Sequence, residues 1–392
     1  MFSPLCPLRI DVKTDHNVDG LVDRSGHRIV ANDKYLYCWG GYNPQYWHVE
    51  NNEDTEYPLM KELWRYQIWT GEWKLLETHG EVPTELASHT VILIPGHILH
   101  FGGTGVPFGQ ANTRCLYDLD LNTLKWKRAC DPNEEDESIN LPRGKYGHSM
   151  VRHGNYLYVM GGTCGFVYDS DVHQLNLKTM EWKDIPVNSD YKPEARYRHE
   201  IIYYKGKLLM FGGGAGVSNT AFPLSKIDVF DLNTQVWESV ITVPHQQNII
   251  DNNSEISTIS KYPGNRRCHS CVRFEDDVFV CGGLSPSGIL KDVWKFHLPT
   301  LQWTEINVPL PKPVYFHSAA TTNHGCMYIF GGVTRIDDER TNALQIMWLH
   351  LPQLKLLAFN AVLKCLNITR YKHNKETLLH IGIPNHFVDL IV

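Results

Sequence analysis

No run of about 18 apolar residues occurs anywhere in the 392-residue chain, so no segment reads as a membrane-spanning helix. The opening MFSPLCPLRIDVKTDH also lacks the apolar stretch of a secretory signal. Charge is sparse: 37 Lys and Arg stand against 43 Asp and Glu, a formal charge of -6. Without a basic excess there is no field for a phosphate backbone, which excludes nucleic acid as an expected partner. Catalytic signatures are missing too, with no nucleophile elbow, phosphate loop, HExxH or paired carboxylates. The GGGAG at Gly212 to Gly216 follows a strand-like run and opens no helix, which argues against a phosphate cradle. Ten cysteines are scattered singly apart from Cys268 and Cys271, and no second ligand pair at zinc spacing accompanies those two. The expectation is a chain without catalytic activity, cofactor or metal. Single cysteines in runs such as YLYCWGG read as small buried hydrophobes of a reducing compartment, so the expected location is the cytoplasm, with the nucleus as a second.

What is present in excess is glycine and aromatics: 30 Gly, 11 Trp and 19 Tyr suit short strands joined by tight turns, and an all-β fold. A strand-like run ends in Gly-Gly six times, at Gly40, Gly102, Gly161, Gly212, Gly282 and Gly331. A histidine lies thirteen residues before the first Gly in five copies (His27, His89, His148, His199, His269) and fourteen before it in the sixth (His317). Downstream, an apolar run leads to a tryptophan at Trp73, Trp126, Trp182, Trp237 and Trp303, with turn formers such as Asn-Thr before it. Each unit therefore supplies four short strands.

Such a unit resembles the kelch repeat, and the resemblance implies a six-bladed β-propeller over residues 24–351. The sixth copy ends at Leu357 where a tryptophan is due. Its missing outer strand is expected from the N-terminal segment, residues 1–23, with Pro7 to Val12 the best candidate. Beyond Leu351 apolar residues recur at three and four, so residues 352–392 read as a short helical tail with Asn374 as an N-cap and Pro384 opening the last helix. Two stretches, DPNEEDESINLP and HQQNIIDNNSEISTISKYPG, read as solvated loops.

The segments preceding the blade histidines read DRSGH, PRGKYGH, ARYRH, NRRCH and PVYFH. They place Arg24, Arg143, Arg196, Arg198, Arg266 and Arg267 at the mouth of one channel, interleaved with Tyr146, Tyr197, Tyr315 and Phe316. Arginine captures a carboxylate through paired hydrogen bonds, and the end of a peptide chain is such a group. The histidines are expected to be structural, each bonding a neighbouring turn.

The runs ELWRY, FGGTGVPFG, RYRHE, RRCHSCV, PVYFH and GCMYI resemble the kelch-repeat substrate receptors of cullin-two RING ubiquitin ligases, their insect members included. The resemblance implies a non-catalytic adaptor that reads glycine-ended or alanine-tailed C-terminal degron peptides and binds elongin B and C and cullin-two. It implies an elongin box at Leu354, Ala358 and Val362 and a cullin box at Ile383, Pro384, Phe387 and Ile391. Related receptors hold the terminal carboxylate with arginines after a Gly-Gly and a serine two before the next histidine; here Gly214 and Arg267 stand at those places. The clamp is therefore expected at Arg266 and Arg267, assisted by Arg198 or Arg196. Two alternatives need only the propeller: a stress-kinase signalling scaffold acting through a protein phosphatase, and an actin-binding protein.

Overall fold

The computed structural model describes residues 10–13, 20–45, 59–130, 141–216, 220–250, 256–336, 339–366 and 374–392. Six antiparallel sheets of four main strands follow one another around an axis, each led by an innermost strand: Arg28–Ala31, Thr90–Ile94, Ser149–His153, Glu200–Tyr204, Ser270–Phe274 and Ser318–Thr321. A strand from near the N-terminus closes the ring. Ile10–Lys13 pairs antiparallel with Leu344–Trp348, Ile10 opposite Met347 and Lys13 opposite Leu344, and completes the sixth sheet. Pro7 to Arg9 of the expected strand lie outside the described residues.

Three recurring contacts hold each blade to the next. The second glycine of every pair donates its N–H to a carbonyl of the following blade: Gly41 to Leu86, Gly103 to Lys145, Gly162 to Arg196, Gly213 to Arg266, Gly283 to Val314 and Gly332 to Arg24, all at 2.8 or 2.9 Å. The first glycine, at positive φ, leaves the space that the next blade's histidine occupies; His27 sits on Gly331 in this way and so completes the circle. A side chain there would be strained and would also strike the imidazole. Finally, a blade's tryptophan reaches the residue before the preceding Gly-Gly: Trp126 packs on Trp39, Trp182 on Phe101, Trp303 on Phe211 and Trp73 on Phe330. These wedges bury apolar surface that no single sheet could bury.

The polar stretch before the fifth blade departs from expectation. His245–Ile250 and Ile256–Lys261 form a β-hairpin, His245 opposite Lys261 and Ile250 opposite Ile256, with β-branched Ile and Thr among polar residues. Its foot is tied to the fifth blade where Lys261 Nζ reaches the Glu305 carboxylate at 2.6 Å. The acidic stretch lies outside the described residues from 131 to 140.

The tail is three helices, α1 (Leu354–Leu366), α2 (Lys375–His380) and α3 (Asn385–Ile391). Asn374 caps α2 by accepting the Thr377 N–H at 2.9 Å, and Pro384 stands one place earlier than expected, as the cap of α3. Leu356, Phe359, Leu363, Leu378, Ile383, Phe387, Val388 and Ile391 form one core that rests on Trp69 and Trp348 of the propeller. Gln67 donates to the carbonyls of Leu390 and Ile391, both at 2.9 Å, and so fixes the end of α3. Gln67 ends the third strand of the first blade, so the tail sits on the face opposite the loops that precede the histidines.

Candidate functional site: an axial collar with one unpaired guanidinium

The residue before each blade histidine has positive φ: Gly26, Ser88, Gly147, Arg198, Cys268 and Phe316, between 54° and 65°. These six make a closed circle of backbone hydrogen bonds, each N–H reaching the carbonyl of the preceding blade: Gly26 to Phe316, Ser88 to Gly26, Gly147 to Ser88, Arg198 to Gly147, Cys268 to Arg198 and Phe316 to Cys268. The left-handed turn aims the side chain of this position into the bore. Ser88, Arg198, Cys268 and Phe316 thus narrow the channel, while Gly26 and Gly147 leave it open.

Arg198 uses that opening. Its guanidinium carbon lies 4.3 Å from the centre of the Phe316 ring, two blades away. Its Nη2 comes within 3.9 Å of where a Cβ on Gly26 would stand, and its Nε within 3.4 Å of the same place on Gly147. Its Nε has no hydrogen-bond partner, and among the described residues no carboxylate pairs with it. Burial lowers its pKa below the ordinary arginine value. Burial likewise pushes the Cys268 thiol beside it up to about 11, so that group stays neutral.

One position further out, Tyr146, Tyr197, Arg267 and Tyr315 line the mouth, each bridged to the strand that leaves its Gly-Gly. Tyr197 meets Tyr146 edge to face at 6.4 Å and Tyr168 at 5.3 Å. Arg267 lies over Gly214, its Cδ 2.8 Å from where a Cβ would stand, so the glycine makes room for it. Arg198 and Arg267 both act on the phenol of Tyr197, which burial raises and these charges lower. The expected residues Arg198, Arg267, Tyr146, Tyr197 and Tyr315 are therefore brought together, and Phe316 joins them.

Arg196 and Arg266 are not part of this site. Three places before the histidine the chain points back into its own blade. Arg266 is fully buried, forks onto the Asp292 carboxylate at 2.9 and 2.7 Å and also donates to Gly282 O. Arg196 is 5% exposed and pairs with Asp228 at 2.7 Å. Arg24, on Glu62, repeats the arrangement, whereas Arg143 is exposed at the side of the third blade. Burial alone would raise Asp292, but the bonds and charge of Arg266 outweigh it and hold the carboxyl below its usual range. These arginines staple the second and third strands of a blade, and their charge is spent.

The tail residues divide in the same way. Leu354 is 83% and Val362 41% exposed, and with Ala358 they form an outward apolar stripe on α1. Ile383, Phe387 and Ile391 lie inside the tail core, so the expected cullin box is not a contact surface; only Pro384 of that set is exposed. Two axial residues carried no signal as isolated residues. Arg28 and Glu200 follow their histidines directly, where the other four blades have Thr90, Ser149, Ser270 and Ser318, and comparing that column of the repeat would have singled them out.

Residues 26–249 match the KLHDC2/KLHL20/DRC7 Kelch-repeats domain, and residues 265–307 match the Kelch motif. The chain is 40% identical over 370 residues to Kelch domain-containing protein 10 of Rattus norvegicus, covering 93% of this chain and 85% of that one. Against the Homo sapiens protein of that name the identity is also 40%, covering 93% of this chain and 79% of the other. The Kelch domain-containing protein 10 homolog of Drosophila melanogaster is 34% identical over 412 residues, covering 99% of this chain and 65% of that one. With its six blades, its Gly-Gly circle and these identities over most of its length, the chain belongs to the Kelch domain-containing protein 10 family of kelch-repeat propellers.

Proposed function

We propose that this chain is the substrate-recognition subunit of a cullin-two RING ubiquitin ligase, itself without catalytic activity, that takes the C-terminal tail of a protein into the mouth of its propeller. The observation that carries the reading is Arg198: a guanidinium in a narrow bore, stacked on Phe316, walled by tyrosines and paired with no described carboxylate. A chain end supplies the missing anion, and the tyrosines suit the last few residues of an extended peptide, whether glycine-ended or alanine-tailed. Arg267 stands above it as a second donor. The outward stripe of Leu354, Ala358 and Val362 supports elongin B and C as tail partners, with cullin-two held through the tail assembly.

The pocket is tested by titrating one glycine-ended peptide and its C-terminal amide against wild type and Arg198→Met. Amidation and the substitution are each expected to weaken binding by more than tenfold, since a charge-assisted hydrogen bond contributes about 1.5 to 3 kcal/mol. Arg267→Ala, nearer the solvent, should lose less. Equal affinity for acid and amide would remove the carboxylate reading.

The tail is tested by co-purification. Leu354→Arg puts a charge on an exposed stripe without touching the tail core, so the protein should stay folded while recovery of elongins B and C falls at least about tenfold. Equal recovery from wild type and variant, or none from either, would favour a scaffold that works through the propeller alone, by way of a phosphatase or actin.

A further inference from the structure

Two residues along from the collar, the residue after each histidine faces the bore from six sides. In four blades it is a small hydroxyl consumed by the neighbouring blade: Thr90 bonds His148 Nε2 at 2.8 Å, Ser149 donates to His199 O, Ser270 donates to His317 O, and Ser318 accepts from Ile29 N–H. In blades one and four, which face each other across a six-bladed ring, it is Arg28 and Glu200. Their side chains meet over the axis, Arg28 Nη1 donating to Glu200 Oε1 at 2.9 Å, while Arg28 Nε donates to His89 O at 3.1 Å. Both are largely buried, at 19% and 17% exposed. The pair lines a chamber of about 310 Å³ together with Val30, Ile92, Met150, Cys271 and Ala319.

Glu200 is two residues along the same strand from Arg198, and Arg28 is two from Gly26, over which the Arg198 guanidinium lies. Three charged groups therefore share one narrow bore: Arg198 above, Arg28 and Glu200 beneath. Glu200 is an acid two residues along the strand from Arg198, and Arg28 is a second cation whose charge already acts on it. Each is withheld by the other.

We propose that the Arg28–Glu200 ion pair is a bolt across the channel that sets the charge at the collar: it keeps Glu200 off Arg198 and spends Arg28, so that a chain end meets the Arg198 cation there. Arg28 and Glu200 are positioning residues, acting through Arg198 without touching the ligand. The inference rests on the carboxylate reading above and adds to it that anion affinity is governed from two opposite blades below the collar.

Changing one partner releases the other, and the two releases have opposite signs. Arg28→Met leaves the Glu200 carboxylate buried beneath Arg198 and free to pair with it. Affinity for the carboxyl-ended peptide should fall about tenfold and approach that of the amide, because an unpaired buried charge seeks the nearest partner. Glu200→Gln frees Arg28 as a second cation, so affinity for the acid should rise about three- to tenfold at low salt, with the amide unchanged. The double variant Arg28→Met, Glu200→Gln removes both charges and should return the acid to within about threefold of wild type. Peptide titrations at two salt concentrations, with the thermal midpoint of each variant, read all of these.

A gain in affinity cannot come from misfolding, so Glu200→Gln carries the test even where Arg28→Met does not fold. If Glu200→Gln binds the acid no better than wild type, or the double variant is weaker than both singles, the pair is only a strut and the proposal is overturned. If wild type itself does not separate acid from amide, it is the carboxylate reading that fails, and this inference with it.

Discussion

Lowering the pH from 7 to 5 is expected to destabilise the propeller strongly, with protons taken up as it unfolds. The cause is the histidine circle. His27, His89, His148, His199, His269 and His317 are all at most 5% exposed, each packed on a first glycine of the blade before it. Burial holds every one below the ordinary 6.5, to about 3 for His199 and His317 and well below 6.5 for His27, His89, His148 and His269. Between those values the unfolded chain binds protons that the native ring refuses, so stability is complete above about pH 6.5 and falls as pH falls towards 3. His199 and His317, held near 3, each lose about 2 kcal/mol between pH 7 and 5, and the other four act in the same direction, against a domain stability of about 5 to 15 kcal/mol. His100, also buried with its pKa lowered to about 3, adds to the same trend. Carboxylates held low, such as Asp292, release their contribution only at still lower pH. Circular dichroism against pH, with proton uptake by calorimetry near pH 5.5, checks this. A chain that stays folded at pH 4 without uptake would show that the imidazoles reach water more readily than their packing implies.

Removing residues 1–13 is expected to lower the thermal midpoint by about 10 °C or more and to make the protein prone to association. The lost strand supplies four paired residues against Leu344–Trp348. At about 1 kcal/mol for each hydrogen bond, the deficit is on the order of 4 kcal/mol, before counting the apolar residues it uncovers. Leu344 and Met347 are at most 1% exposed, and without the partner strand an open edge is left for another chain to pair with. A synthetic peptide of residues 5–18 added in trans should bind the vacant edge and restore most of the loss. A truncated protein with an unchanged midpoint would mean that the inner Gly-Gly circle closes the ring alone.

Nearly all of the ring could be read from the chain. Histidine, Gly-Gly and tryptophan recur at set spacing, each demands a partner in the next copy, and the tryptophan missing near Leu357 pointed to the N-terminal strand before any coordinate did. The tail helices followed from apolar spacing, and Asn374 from its capping chemistry. The hairpin at His245–Lys261 was missed because its polar residues suit solvent as well as they suit a strand edge.

The axial site was only half legible, and ARYRH and NRRCH show why. Both present adjacent or near-adjacent arginines, so composition marks the mouth as basic. Whether an arginine is spent or available turns on two steps along the chain. Three places before the histidine it points into its blade and finds Asp228 or Asp292, 32 and 26 residues away; one place before, a left-handed residue turns it into the bore. Arg28 and Glu200 are separated by 172 residues and meet only because blades one and four stand opposite each other. Short-range spacing thus dictates the blades, their number and how they join, since every such contact except those between the sixth blade and the first lies between repeats adjacent in the chain. The charge offered at the axis depends on closure of the ring, which alone brings far-apart side chains near enough to cancel or to leave Arg198 unpaired.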